Sequence, residues 1–126
     1  MLDSLMPAGG VMSAQFADAS YSDVLLYAGR RDPAIWTGTY LASHALRLLT
    51  TGAPEASDRI EETVRVLHRW WSIAGDRGYL ARFSAPADSS AEILATLPPT
   101  DAEVIRDVAF EGSLWHWRGR ISRDQH

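Results

Sequence analysis

The sequence predicts a mainly α-helical fold: an inner and an outer helix paired as an antiparallel hairpin, with a short β-hairpin near the C-terminus. Three observations predict it. Asp32-Pro33 opens a run to residue 50 whose apolar residues spread around nearly the whole helical circumference. A tight connection, Thr51-Gly52-Ala53-Pro54, leads into a second run whose apolar residues form one stripe only. From Glu103 the spacing changes, and apolar and polar residues alternate as they do along a strand. A helix that is apolar all round needs other helices about it. The chain therefore reads as a piece of a larger helical protein.

Residues 1–20 mix Gly, Ala, Ser and Met with no clear period and read as loop or lead-in. The partial helical domain is expected over 21–126. The apolar run Val24-Leu25-Leu26-Tyr27-Ala28 is too short for periodicity to separate a helical turn from a strand. The inner helix spans 33–50, with Asp32 as cap, Pro33 in the first turn and Gly52 as a left-handed stop. The outer helix begins at Pro54, and the helical hairpin occupies 33–75. Ile60, Val64, Leu67, Trp71 and Ala74 form its stripe, widened by Trp70 and Ile73. Asp58, Glu61, Glu62, Arg65, His68 and Arg69 make a solvated opposite face, with Glu61 and Arg65 paired one turn apart. Residues 76–90 are read as loop. A short helix at 90–97 follows, with Ser89 and Glu92 spaced as a capping box, and Pro98-Pro99 ends it. A β-hairpin over 103–118 turns at Glu111-Gly112, and Ser122 caps the start of a further helix at 122–126.

Composition excludes several classes. At 126 residues the chain is at most one ordinary domain, and 46% apolar with 22% charged residues is a globular balance, not a disordered one. A net charge of −4 argues against nucleic acid as a partner, since phosphate binding wants a basic surface. All 12 basic residues are Arg, a bias spread along the chain and so compositional in origin. With no cysteine, disulfides, thiolate zinc sites and a Cys nucleophile are ruled out. The four histidines show no metal spacing, so no metal and no cofactor is expected. No stretch approaches the roughly 18 apolar residues of a membrane span, and no basic region precedes an apolar one at the N-terminus. A cytoplasmic location is the default expectation.

The run Asp32 to Leu41, then Ala45-Leu46-Arg47 and Thr51-Gly52-Ala53-Pro54-Glu55-Ala56, resembles the pattern WTG-x-YL, A-x-R, TG-x-P-x-A of six-hairpin glycosidase-like proteins. Gly78-Tyr79-Leu80-Ala81-Arg82 resembles their post-hairpin loop, and Trp117-Arg118-Gly119 with Ser122-Arg123-Asp124-Gln125 resembles the segment that opens their next inner helix. The resemblance covers about residues 20–126. It implies one hairpin of an incomplete (α/α) toroid, a carbohydrate pocket near the N-terminal ends of inner helices, and glycoside hydrolase-like or epimerase-like activity in the complete protein.

On that reading Asp124 and Asp32 are the candidate acid and base, at the mouths of successive inner helices. Hydrolysis of a glycosidic bond needs such carboxylates roughly 5–9.5 Å apart. Asp-Pro at a helix start already explains Asp32 as a cap, the stronger reading, while Asp124 is equally explained as a first-turn acid favoured by the helix dipole. Trp36 offers a ring to stack on a sugar, against the commoner fate of core packing. Trp117, Arg118, Arg82 and Gln125 are the other candidate substrate contacts, the arginines as bidentate partners for an acidic sugar. The aromatic cluster Trp115-His116-Trp117 is also what a hairpin pairing its aromatics across strands looks like. A rival reading is non-catalytic. One hairpin cannot cover the inner helix, so its apolar surface would bind a partner chain or a second copy.

Overall fold

A computed structural model describes residues 3–28, 32–75 and 80–119. In chain order they form β1 (Ser13–Phe16), β2 (Val24–Ala28), α1 (Pro33–Thr51), α2 (Pro54–Ser72), β3 (Phe83–Pro86), α3 (Ala91–Leu94), β4 (Val104–Phe110) and β5 (Ser113–Arg118), after two short 3-10 turns at Asp3–Leu5 and Pro7–Gly9. The mainly α toroid fragment is corrected: helix takes 43% and strand 24% of the described residues, and the strands form two antiparallel sheets. What overturns it is the amount of sheet hidden in the regions read as loop. The lead-in supplies β1, the ambiguous run at 24–28 is its partner β2, and the predicted loop at 76–90 contains β3.

The larger sheet has the order β3-β5-β4. Its β4–β5 hairpin turns at Glu111-Gly112, as expected, with both residues at positive φ (49° and 81°). That pairing of signs suits the right-handed twist of the flanking strands. A bulge between Ile105 and Val108 puts Asp107 at φ 55°, and its N–H, turned out of the ladder, donates to His116 Nδ1 at 3.1 Å. The buried imidazole thus accounts for the bulge. β3 is buried along nearly its whole length, because α2 and the Pro7–Gly9 turn pack on the sheet.

Trp70 of α2 is the centre of this packing. It is fully buried, meets Phe83 edge to face at 6.3 Å between ring centroids, and its carbonyl accepts from Ala81 N–H at 2.8 Å. Gly10 passes so close that a Cβ there would lie 2.7 Å from the indole. Met12, Val66, Ile73, Leu97, Trp115 and Trp117 complete the core.

Both long helices fall near their predicted bounds, but their faces differ from expectation. In α2 the buried residues are Ala56, Thr63, Val66 and Trp70. Predicted stripe members Val64 and Trp71 lie outside, while Trp70 takes the central place. The polar Thr63 is tolerated inside because its hydroxyl donates to Arg59 C=O at 2.6 Å. The larger correction concerns α1. It is not an inner helix: among the described elements only α2 packs extensively on it, and just Pro33 and Thr37 are buried. Thr37 Oγ1 accepts from Val11 N–H at 2.9 Å and ties the lead-in to the helix. Gly52 ends α1 at φ 65°, its N–H on Leu48 C=O, as the sequence indicated. The Ser89–Glu92 capping box does not form. Ser89 instead donates its hydroxyl to Pro86 C=O, and α3 is a single turn. The helix start at 122–126 lies outside the described residues. No helix among the described residues is long and apolar enough to cross a membrane.

Two glycine substitutions separate these packing environments. Gly10→Ala should lower stability by about 1–3 kcal/mol, since the methyl overlaps Trp70. Gly38→Ala, in α1 where an added Cβ meets nothing, should raise it by about 0.5–1 kcal/mol. Urea midpoints at constant slope are the measure.

Candidate functional site

The sequence-predicted residues separate into two regions of the described structure. Asp32 and Trp36 stand at the N-terminal end of α1; Arg82, Trp117 and Arg118 belong to the β-sheet region; Asp124 and Gln125 lie outside the described residues. Asp32 is exposed and makes no side-chain cap; its carbonyl accepts from Ile35 N–H (3.2 Å) and Trp36 N–H (3.4 Å). Arg82 joins the sheet by its backbone, donating N–H to Arg118 C=O at 2.8 Å. Trp117 is a buried core ring.

Arg118 is buried as well, and its two terminal nitrogens are bonded inside the protein while its Nε has no hydrogen-bond partner. Nη1 donates to Asp101 Oδ2 (2.8 Å) and Glu103 Oε2 (3.2 Å), and Nη2 donates to Thr96 C=O (2.9 Å). The arginine fastens the segment from Thr96 to Glu103 onto the central strand. Arg106 reinforces it, donating to Leu97 C=O at 2.9 Å. The flat fork of Arg suits this task because one group reaches three acceptors at once. On the outer side, Arg69 lies 4.3 Å over the Trp115 ring, whose Nε1 donates to Phe110 C=O.

Hydrogen bonds from the Ser20 side chain and then its N–H hold Asp18 below its ordinary value, a loop cap of the Asx type. Burial, then the charge of Glu92, raises the Tyr27 phenol above its ordinary value. No group of three or more His, Asp or Glu suited to a metal occurs among the described residues.

Among the described residues are two concave features. An open groove of about 420 Å³ is lined by Leu5, Val11, Met12, Ser13, Ala14 and Trp36. A second, of about 350 Å³, is lined by Ala87, Asp88, Ser113 and Leu114. Trp36 is therefore at a groove wall, 56% exposed, as the stacking reading requires. The other lining side chains are apolar apart from the Ser13 hydroxyl, which gives a sugar few groups to bond.

The most distinctive surface is the outward face of α1. Ile35, Thr39, Ala42, Leu46 and Leu49 recur at spacings of four and three residues, all exposed, with Trp36, Ser43 and Thr50 along one flank. That spacing matches the core positions along paired helices. Ile35 is 67% exposed, Leu46 63% and Leu49 83%. The hydroxyls on this face are turned inward: Thr39 Oγ1 donates to Ile35 C=O and Thr50 Oγ1 to Leu46 C=O, each at 2.9 Å. Both threonines thus show their methyls. No Asp, Glu, Lys or Arg occurs from Pro33 to Leu46. The exposed side of α2 is the opposite case, with Arg65 on Glu61 and Arg59 near Glu62. The exposed large side chains of α1 offer roughly 500 Å² of apolar surface, taking about 200 Å² for each when bare. That is near the largest patch an ordinary monomer carries, about 300–600 Å².

Sequence reasoning found the apolar character of α1 and assigned it to an interior. The signal for a seam was present in the small and hydroxyl residues Thr39, Ala42 and Ser43 between bulky ones. Comparison with protein-family models, curated proteins and solved structures found no match.

Arg118→Leu should cost about 2–3 kcal/mol, the lower end for a broken buried pair because Asp101 and Glu103 keep contact with water. Hydrogen exchange should quicken first between Thr96 and Glu103, and Arg118→Lys should recover part of the loss.

Proposed function

We propose that this chain is a non-catalytic interaction module whose α1 face receives an apolar helix of another polypeptide, in a cytoplasmic setting. The observation that carries the proposal is an exposed heptad-spaced face with no Asp, Glu, Lys or Arg from Pro33 to Leu46 and its threonine hydroxyls bonded back into the helix. Such a face gains nothing from water. Burying about 500 Å² releases roughly 12 kcal/mol gross at about 25 cal/mol per Å². Much of that offsets the entropy lost on association, and the remainder is affinity. The helical occupant follows from the shape of the site, a straight ridge with shallow spaces at Thr39, Ala42 and Ser43.

Carbohydrate chemistry was the other expectation. It placed Asp32 and Asp124 at the mouths of successive inner helices, and α1 has no inner position. Trp36 beside its groove is the feature that favours a sugar, and the scarcity of polar groups there weighs against one.

The test is a labelled 19-residue helical peptide with a leucine seam, titrated against wild type and Leu46→Glu/Leu49→Glu by fluorescence anisotropy, alongside sedimentation velocity of each protein. At protein concentrations too low for association, the double variant should keep the wild-type urea midpoint, since both positions are exposed. It should bind the peptide at least tenfold more weakly and lose any self-association. Equal behaviour of both proteins, or a wild type that neither binds the peptide nor associates, would overturn the proposal.

A further inference from the structure

We infer that the occupant of the α1 face is a second copy of this chain, packed with its own α1 antiparallel about a two-fold axis at Ala42. The inference rests on the interaction reading above and names the partner. Three features of α1 carry it.

The first is the order of side-chain sizes. Along the seam the residues run large, small, small, large, large: Ile35, Thr39, Ala42, Leu46, Leu49. An antiparallel register centred on Ala42 sets the second copy's Leu46 against Thr39, its Leu49 against Ile35, and Ala42 against Ala42. Each Leu46 then fills the space above a threonine. A parallel register stacks every residue on itself, and Thr39 and Ala42 together leave a gap that a close-packed interface does not tolerate.

The second is charge. Arg47 is the sole Asp, Glu, Lys or Arg within α1. It lies 3.5 Å from Glu55 of α2, and parallel pairing sets the two copies at one level of the axis. The antiparallel register separates the two by about 15 Å along the axis. It also brings each Arg47 to the flank where the other copy shows Trp36, a ring that attracts cations. Antiparallel helix dipoles add to the preference.

The third is area. Two copies of this face together hide roughly 1,000 Å², which meets the lower bound of about 1,000 Å² for a specific association. The expected dimer is accordingly in equilibrium with monomer.

The chain has no cysteine, so single introduced cysteines report contacts without background. Ala42→Cys should crosslink to itself under mild oxidation, because a two-fold at that residue brings the Cα atoms within the roughly 4.4–6.8 Å of a disulfide. Ile35→Cys alone should give less than a tenth of that yield, its copies lying about 21 Å apart along the axis. An equimolar mixture of Ile35→Cys and Leu49→Cys should give the mixed disulfide. Circular dichroism of each reduced variant shows whether it is folded. Wild type should sediment as a concentration-dependent dimer. A dimer in which Ile35→Cys crosslinks to itself, or Ala42→Cys does not, overturns the antiparallel arrangement and leaves the interaction reading standing. A wild type that stays monomeric yet binds the leucine-seam peptide overturns the second copy as occupant and again leaves that reading. A wild type that does neither overturns both.

Discussion

The insertion of Trp70 between Gly10 and Phe83 is the contact on which the remaining structure depends. It is where the helical hairpin, the N-terminal turn and the larger sheet meet. The indole is fully buried, and its residue also holds Ala81 through the backbone. A side chain of this size fits only because Gly10 lacks a Cβ, so one small residue and one large one form a single device. α1 shares in this core indirectly. It leans on α2, which Arg47 meets at Glu55, and is pinned to the lead-in by the hydrogen bond from Val11 to Thr37.

That indirect attachment explains why α1 has a second face to offer. A helix between two layers would need apolar residues all round. A helix on one layer normally sheds them on the outside, as α2 does with its arginines and glutamates. α1 keeps them, and it softens the few polar residues it has by turning their hydroxyls back to its own carbonyls. The arrangement has the composition of an interior and the position of a surface. The association of chains proposed above reconciles the two, whereas Arg118 and the aromatic core hold the larger sheet together.

The legibility of the fold followed the length of its elements. The long helices could be read from Pro33, Gly52 and Pro54, and the β4–β5 hairpin from its alternation and its Glu111-Gly112 turn. Strands β1 and β3, four residues each, carry too few residues for a period to show. Phe83-Ser84-Ala85 is buried on both faces, so it has no alternation to read. The mistaken interior placement of α1 has a different origin. Apolar spread around a helix suggests cover on every side from the same chain, and α1 is covered on one side only. Arg118 was singled out for its chemistry, and its partners Asp101 and Glu103 lie too far along the sequence for a local pattern to connect them. The α1 seam was legible in principle, in the spacing of Thr39 and Ala42 among bulky neighbours.

The strand order β3-β5-β4 has a consequence for how the protein is made. β5, the middle strand, is the last of the three to leave the ribosome, and β3 has no other neighbour in its sheet. Synthesis runs from the N-terminus at about 5–20 residues per second. For the few seconds between the emergence of Trp70 and that of Arg118, the α1–α2 hairpin exists with the underside of its tryptophan bare. During that interval the nascent chain shows apolar surface on two sides of one hairpin. The side bearing Trp70 is closed by its own sheet as soon as residues 113–118 arrive, and the side bearing Leu46 stays open in the finished chain.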